Sequence, residues 1–395
     1  RARKGGNGVY YHVSYWGRPH DYLWLGTAHP SLVYQQMSLA CERGIQKMWI
    51  LNVGDIKPAE YQVELFLDMA WNLEEVKQQG IAAHQRHFLE REFGKNRADR
   101  LQPVMQEAYR LAYIRKPEFM GNTRTEEKDP KFKVISDLPW SEQEINERLA
   151  AYRQLSDKVE QEWHALPAQK KETYFQLVKY PVQAAAQMNN KLLTAQLARH
   201  GKADWADSDR AYDSIVSLTK TYNTTKWNRM MDFQPRRLLV FNRVERKALS
   251  SGLLEKPQAV YTWNGADCVE GASVICEGLG YEGKAVAVEK KKELTFEFAA
   301  WETDSVEVEV RLLPNHPVEG ERLRFTISLD GSATEAVSYE TKGRSEEWKE
   351  NVLCNQAVRR MILPVARKAS HRLIFTALDE GVVLDQICLY MPRIK

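Results

Sequence analysis

The sequence predicts a multidomain protein that passes from a parallel α/β unit, through an all-α helical bundle, to an all-β sandwich. Three observations predict it. A strand-like apolar run at 48–53 is flanked on both sides by helical periodicity. Helical periodicity then continues to about residue 225. From about residue 260 the chain turns to short β-rich segments separated by turns.

The α/β unit is expected at 1–71. "GVYYHVSYWG" (8–17) is β-rich. "PSLVYQQMSLACERG" sets Leu32, Met37, Ala40 and Cys41 at roughly helical spacing, and Gly44 is a good C-terminal stop. The run 48–53, broken only by Asn52, suits a strand buried on both faces, and Gly54 and Asp55 end it. Pro58 suits a first helical turn, where its missing N–H costs nothing. "AEYQVELFLDMAW" then places Val63, Phe66, Leu67 and Ala70 on one face. Strand, helix, strand, helix makes a βαβ unit with parallel strands. Parallel strands need several neighbours. Two alone raise the expectation that this unit completes a sheet begun elsewhere, the chain being a piece of a longer one.

The bundle is expected at 72–236. Asn72 and Glu75 hold capping positions for a helix that runs to Gly94. Leu101, Met105, Ala108, Leu111 and Ala112 stripe the next helix, with Pro103 in its first turn or two. Ser141 and Glu144 form a capping box ahead of a helix striped by Ile145, Leu149, Tyr152 and Leu155. A long helix is expected over 168–200, kinked at Pro181, and a last one over "ADSDRAYDSIVSLTKTYN". Antiparallel helices of this length form a bundle. A linker at 237–258 leads to the sandwich at 259–395. There "SVEVEVRL" puts Val306, Val308 and Val310 on one face, and Asp330-Gly331 is a turn signal.

Composition narrows the function classes. The 56 Lys and Arg nearly balance the 53 Asp and Glu, which argues against nucleic acid or another polyanion as partner. The basic run "VEKKKE" (288–293) reads as a solvated loop or strand edge. Five cysteines, widely spaced and without a Cys/His ligand pattern, give no metal site. A bridge between two of the four C-terminal cysteines stays open. No apolar stretch is long enough to span a membrane. Eleven Trp and 17 Tyr suit flat stacking on sugars, and equally core packing and interfaces.

Four stretches together resemble glycoside hydrolase family 115, the xylan α-1,2-glucuronidases. They are "GVYYHVSYWGRPHDYLWL" (8–25), "NVGDIKPAE" (52–60), "YFQLVKYPVQAAAQMNNK" (174–191) and "KWNRMMDFQPR" (226–236). "SHRLIFTALDEGVVLDQICLY" looks like the family's last sandwich strands, with Asp379-Glu380-Gly381 where the family commonly has Asp-Pro-Gly. The resemblance implies that 1–71 holds the last strands of a (β/α)8 barrel and that the chain is the family's C-terminal half only. A missing N-terminal half of the same protein would then be its partner, with a homodimer as a further implication. It implies inverting hydrolysis of the α-1,2 bond joining glucuronic acid, or its 4-O-methyl ether, to xylose in glucuronoxylan. It calls for no cofactor and implies a secreted or periplasmic location. Such chemistry needs one carboxylic acid and one carboxylate. The resemblance puts both upstream of Arg1, so no catalytic residue is named and the isolated chain is expected to be inactive. The alternative is a truncated, non-catalytic carbohydrate-binding or interaction protein.

The candidate substrate-binding residues are His12, Tyr15, Arg18, Asn52 and Asp55. Asn52 and Asp55 follow the strand 48–53, where a barrel places functional groups. Asn52 either binds sugar or bonds the turn backbone, and Asp55 either binds sugar or caps the helix at Pro58. His12 and Tyr15 lie on opposite faces of a regular strand and share a pocket only if the strand ends near Ser14. Arg18 offers a fork for the uronic acid carboxylate, with Lys57 and His20 as runners-up. "KWNRMMDFQPRR" reads as packing where the bundle meets the sandwich, or as a loop reaching back over the pocket. Asp21, Glu60, Glu64 and Asp68 read as loop and helix surface groups. His371 and Trp348 read as structural.

Overall fold

The computed structural model describes residues 4–16, 22–124, 127–249, 252–271 and 273–392. The chain divides into two compact units, Arg1–Lys256 and Pro257–Lys395. The first joins a parallel strand pair to a helical bundle, and the second is built of antiparallel sheets, as the sequence predicts.

β1 (Gly8–His12), α1 (Pro30–Glu42), β2 (Met48–Asn52) and α2 (Glu60–Trp71) follow one another. β1 and β2 pair in parallel, Gly8 opposite Met48 and His12 opposite Asn52. Val9, Tyr11, Trp49, Leu51 and Val53 pack on a core of Val33, Met37, Leu65, Phe66 and Met69 from α1 and α2. The alternate residues Tyr10, Met48 and Ile50 are exposed. The pair is therefore covered on one face among the described residues, not on both, because period two turns those residues away from the helices.

α1 is capped by His29, whose Nδ1 accepts the Ser31 N–H at 3.1 Å, and it ends at Gly44, which has φ 78. The buried face of α2 is one step from the predicted one: Leu65, Phe66 and Met69 are buried, while Leu67 is 56% exposed. The helix serves two neighbours. Tyr61 belongs to the bundle core, and Gln62 Nε2 donates to the Gly26 and Ala28 carbonyls at 2.7 and 3.1 Å.

The bundle comprises α3 (Leu73–Gln79), α4 (Ile81–Phe93), α5 (Lys95–Ile114), α6 (Glu142–His164), α7 (Ala168–Tyr174), α8 (Tyr180–Arg199) and α9 (Trp205–Asn223). Asn72 caps α3 through the Glu75 N–H, and Ser141 with Glu144 forms the predicted capping box on α6. The helix predicted to run to Gly94 is broken at Gly80, whose φ of 77 no right-handed helix admits. Pro103 sits deep inside α5 instead of in its first turns, because that helix begins at Lys95. The predicted kink at Pro181 takes a definite form. A π-helical turn, Phe175–Lys179, joins α7 to α8, and the Tyr180 N–H bonds the Phe175 carbonyl. Proline has no N–H to continue the ordinary ladder, and the wider turn shifts the register ahead of it.

In the second unit β3 (Tyr261–Asn264), β4 (Val274–Glu277), β5 (Lys284–Ala287), β6 (Glu293–Ala299), β7 (Ser305–Leu312) and β8 (Leu323–Leu329) come first. β9 (Ser332–Ala333), β10 (Val337–Tyr339), α10 (Glu346–Cys354), β11 (Ala357–Pro364), β12 (Ser370–Ala377) and β13 (Val383–Tyr390) complete it. One sheet has the order β10-β8-β12-β6, with β9 on β8; the other runs β11-β7-β13-β5-β4, with β3 on β13. Their inner faces share one core, including Val306, Val308 and Val310 on β7 and Phe325 and Phe375 opposite, which makes a sandwich. Asp330 and Gly331 both have positive φ, as a tight β8–β9 hairpin requires. All five cysteines carry free thiols. No helix among the described residues is long and apolar enough to cross a membrane.

His29 ties the N-terminal unit to pH. Burial lowers it from 6.5 to about 3. As pH falls the unfolded chain takes up this proton first, so the stability that the neutral cap contributes is intact above pH 6.5 and drains away towards pH 3. His29→Asn keeps a capping acceptor that does not titrate. Its thermal midpoint is expected to fall less than the native one between about pH 7 and about pH 4, by a few degrees. Equal slopes would show that His29 is not the titrating group.

Candidate functional site

β1 and β2 stop together at His12 and Asn52. Parallel strands send their carboxyl ends to one edge, where α/β sheets gather ligand-binding groups. His12, Tyr15 and Asn52 meet there. The Tyr15 ring meets His12 edge-on at 5.0 Å, and His12 meets Tyr10 likewise at 4.9 Å. A continuing strand would separate His12 from Tyr15, but β1 ends at His12 and the backbone turns. Asn52 Nδ2 donates to the Tyr10 hydroxyl at 2.8 Å, and its Oδ1 accepts the Gly54 N–H at 3.1 Å. The costly strand-end amide is thus held by protein groups. Partial burial lowers His12 below the ordinary histidine value, so the ring is neutral at neutral pH and can both donate and accept.

The other predicted residues divide. Asp55 is exposed in the turn after β2 and caps nothing, since α2 begins behind Ala59 without a side-chain cap. Arg18 and its runner-up His20, with Asp21, lie outside the described residues. Lys57 is buried, paired with the Glu60 carboxylate, and its Nζ stands 4.4 Å from the Trp227 ring centroid. Glu64 binds Arg91 through two bonds of 2.9 and 2.7 Å, and Asp68 meets His84 Nε2 at 3.1 Å. Glu60, Glu64 and Asp68 each hold a basic side chain, and no general acid or base is assigned to them. No cluster of three His, Cys, Asp or Glu able to hold a metal ion occurs among the described residues. In the sandwich, His371 Nδ1 meets Asp330 at 2.8 Å and its ring stacks on Phe298, a structural role.

Sequence reasoning named neither Trp16 nor Arg236, which form the far wall of this edge. Trp16 Nε1 donates to Ser14 Oγ at 3.2 Å. Its indole lies so close to Gly54 that a Cβ there would come within 2.5 Å of Nε1. The Arg236 guanidinium lies over the Trp16 ring, 4.8 Å from its centroid, and donates to the Trp16 carbonyl at 3.5 Å. The loop read either as packing where the bundle meets the sandwich or as reaching back over the pocket has both ends at the strand edge, Trp227 on Lys57 and Arg236 on Trp16. Asn223 clamps it, donating to the Met231 carbonyl at 2.8 Å and accepting the Met231 N–H at 3.1 Å. Gln234 donates to Asn242 Oδ1 at 3.0 Å. Behind it the buried Lys191 gives its Nζ to the Val240 and Asn242 carbonyls at 2.5 and 3.0 Å, and burial lowers this amine to about 7. The density of Trp and Arg in "KWNRMMDFQPRR" is the one sequence signal for this wall.

Residues 1–119 match the model for glycosyl hydrolase family 115, and residues 272–395 match that for the family's C-terminal domain. Together they take in more than half of the chain. The chain belongs to glycosyl hydrolase family 115. A solved family 115 4-O-methyl-α-glucuronidase, with specificity for decorated arabinogalactans, is 64% identical at a TM-score of 0.97. That match covers 99% of this family 115 chain and 52% of the relative, so the chain spans about half the relative's length. The expectation of a C-terminal half, with a missing N-terminal half as its partner, is corrected. The likeness runs through nearly the whole chain, and residues 1–119 carry a family match of their own. A family 35 carbohydrate binding module from Clostridium thermocellum matches 33% of the chain at 11% identity and a TM-score of 0.27, too weak a likeness to carry an argument. Comparison with curated proteins gives no match.

Two glycines of this family 115 chain test the packing at the edge. Gly54 and Gly44 both have positive φ, 62 and 78, but only Gly54 faces a neighbour, since a Cβ on Gly44 meets nothing within 4 Å. Each change to alanine carries the backbone cost of about 1 kcal/mol. Gly54→Ala is expected to lose clearly more stability than Gly44→Ala in thermal unfolding, because Trp16 and Ser14 must move. Equal losses would mean that Trp16 does not pack on Gly54.

Proposed function

We propose that this chain works in an α-glucuronidase that removes α-1,2-linked glucuronic acid, or its 4-O-methyl ether, from a decorated polysaccharide. The observation that carries the reading is the 64% identity, over 99% of the chain, to an enzyme described as a 4-O-methyl-α-glucuronidase. The strand edge supports it. His12 and Asn52 offer neutral donors and acceptors suited to hydroxyls, and Tyr15 adds a hydroxyl and a ring face. Asp55, exposed beside them, is a carboxylate acceptor at the rim. Hydrolysis with inversion needs an acid to protonate the leaving oxygen and a carboxylate to activate water from the opposite face. Those two roles are assigned to no residue here, and the reaction needs only proton transfers and water. A polysaccharide substrate puts the enzyme outside the cytoplasm, secreted or periplasmic.

Glucuronoxylan is the first candidate for the polymer. The relative's specificity for decorated arabinogalactans favours a second, with the same uronic acid on a different backbone. Calorimetric titration of the purified protein with 4-O-methylglucuronic acid is expected to show saturable binding, on the order of millimolar or tighter. Xylose and arabinose are expected not to bind. Acidic oligosaccharides cut from xylan and from arabinogalactan then identify the backbone by which binds more tightly. No binding of any uronic acid would overturn the reading.

A further inference from the structure

A cavity of about 60 Å³ lies where α2 meets the bundle. Its wall takes in residues 25–27, which follow β1, the start of α2, parts of α4, α5 and α8, and the π-helical turn 175–179. Thr27, Gln62, Gln85, Tyr109 and Gln176 line it, each more than nine-tenths buried.

Among the described residues each of these five keeps one polar group unbonded. Thr27 Oγ1 has no hydrogen-bond partner. Gln62 commits its Nε2 to the Gly26 and Ala28 carbonyls and to the Tyr109 hydroxyl, at 2.7, 3.1 and 3.1 Å, and its Oε1 accepts nothing. That oxygen lies beside Gly26, also on the wall, where a Cβ would come within 3.2 Å of it. The Tyr109 hydroxyl accepts from Gln62 and has its own proton still to give. Gln85 Oε1 accepts the Gln102 amide at 3.4 Å, which leaves its Nε2 open. Gln176 Nε2 donates to Glu172 at 3.4 Å, which leaves its Oε1 open.

We propose that this cavity is a hydration site, in which a hydrogen-bonded cluster of water molecules joins the segment after β1 and the first turn of α2 to the π-helical turn. Burying a polar group without a partner is costly, and folded proteins leave few such groups. Five on one wall call for a shared guest. The open groups are three acceptors or hydroxyls and two donors, and water serves both kinds.

Size and charge decide what the guest is. A water needs about 10–15 Å³ of such space, so the cavity holds on the order of four. An engineered cavity that takes up benzene measures about 150 Å³, so a sugar ring is too large for this one. Glu60, the carboxylate on the wall, is already paired with Lys57, so the guest needs no charge. Cavities that stay dry are lined by apolar groups alone, which this one is not. The π-helical turn belongs to the site, because it carries Gln176 to the wall opposite Thr27 and Gln62 in sequence. The inference stands apart from the glucuronidase reading and holds whether or not the chain binds a uronic acid.

High-resolution diffraction from crystals of the native protein, grown without polyols and repeated under xenon pressure, tests it together with the thermal midpoint of Thr27→Val. Water peaks are expected within hydrogen-bond distance of about three or more of the five open groups, with no xenon in the cavity. Thr27→Val is expected to lose the peak beside residue 27 and to unfold a few degrees below the native protein, because a water loses its partner. The proposal requires both results. A cavity that takes up xenon, or that shows no such peaks, overturns it. So does a Thr27→Val midpoint that stays the same or rises, since deleting a hydroxyl that bonds nothing removes only a penalty.

Discussion

In the parallel pairing of β1 with β2, His12 sits opposite Asn52, and a slip of one residue would turn every side chain to the other face. The register is held by burial on one side. Tyr11, Trp49 and Leu51 must meet Phe66 and its neighbours on α1 and α2, and each large apolar side chain removed from water contributes about 1.5–3 kcal/mol. Because that face is fixed, the other is fixed too. Tyr10, His12 and Asn52 are committed to the open side, and the short turns that follow deliver Tyr15, Trp16 and Gly54 beside them. The candidate site is a consequence of the packing beneath it.

The helical bundle contributes by position. Its buried polar groups satisfy the backbone of irregular segments that a helical core cannot cover. Arg148 donates to Asn189 at 2.6 Å and to the Arg115 carbonyl at 2.8 Å. Lys191 does the same for 240–242. A buried amine is tolerated there because two carbonyls receive it, and those carbonyls would otherwise be orphaned inside the core. The loop at 227–237 thereby gains a defined shape although it has no strand or long helix of its own. The two walls of the strand edge, 220 residues apart in sequence at Trp16 and Arg236, meet because both are anchored to rigid elements.

Much of the fold was legible in the residues. The Ser141–Glu144 box, the Asn72 cap, the Val306, Val308 and Val310 face and the Asp330-Gly331 turn are local signals, and each acts through contacts a few residues away. What was not legible depends on partners distant in the chain. Gly80 breaks a helix whose periodicity continues across it. Pro181 announces a disturbance but not that a π-helical turn absorbs it. The buried face of α2 was misjudged because the helix has two neighbours, and α10 was hidden among strands. At the site, His12, Tyr15 and Asn52 were named from the sequence and do come together. Arg236 was not named, because no pattern within its own segment shows that it lands on a tryptophan near the start of the chain.

The central claim is that the uronic acid binds at the shared carboxyl ends of β1 and β2, between Asn52 and Trp16. Nitrogen-15 labelling of the tryptophan indoles, with the Trp16 resonance assigned through Trp16→Phe, tests it most directly. On titration with 4-O-methylglucuronic acid the account predicts that the Trp16 indole signal moves saturably while those of Trp263, Trp301 and Trp348 stay in place. A Trp16 signal that does not move at saturation, with shifts confined to the sandwich tryptophans, would contradict it.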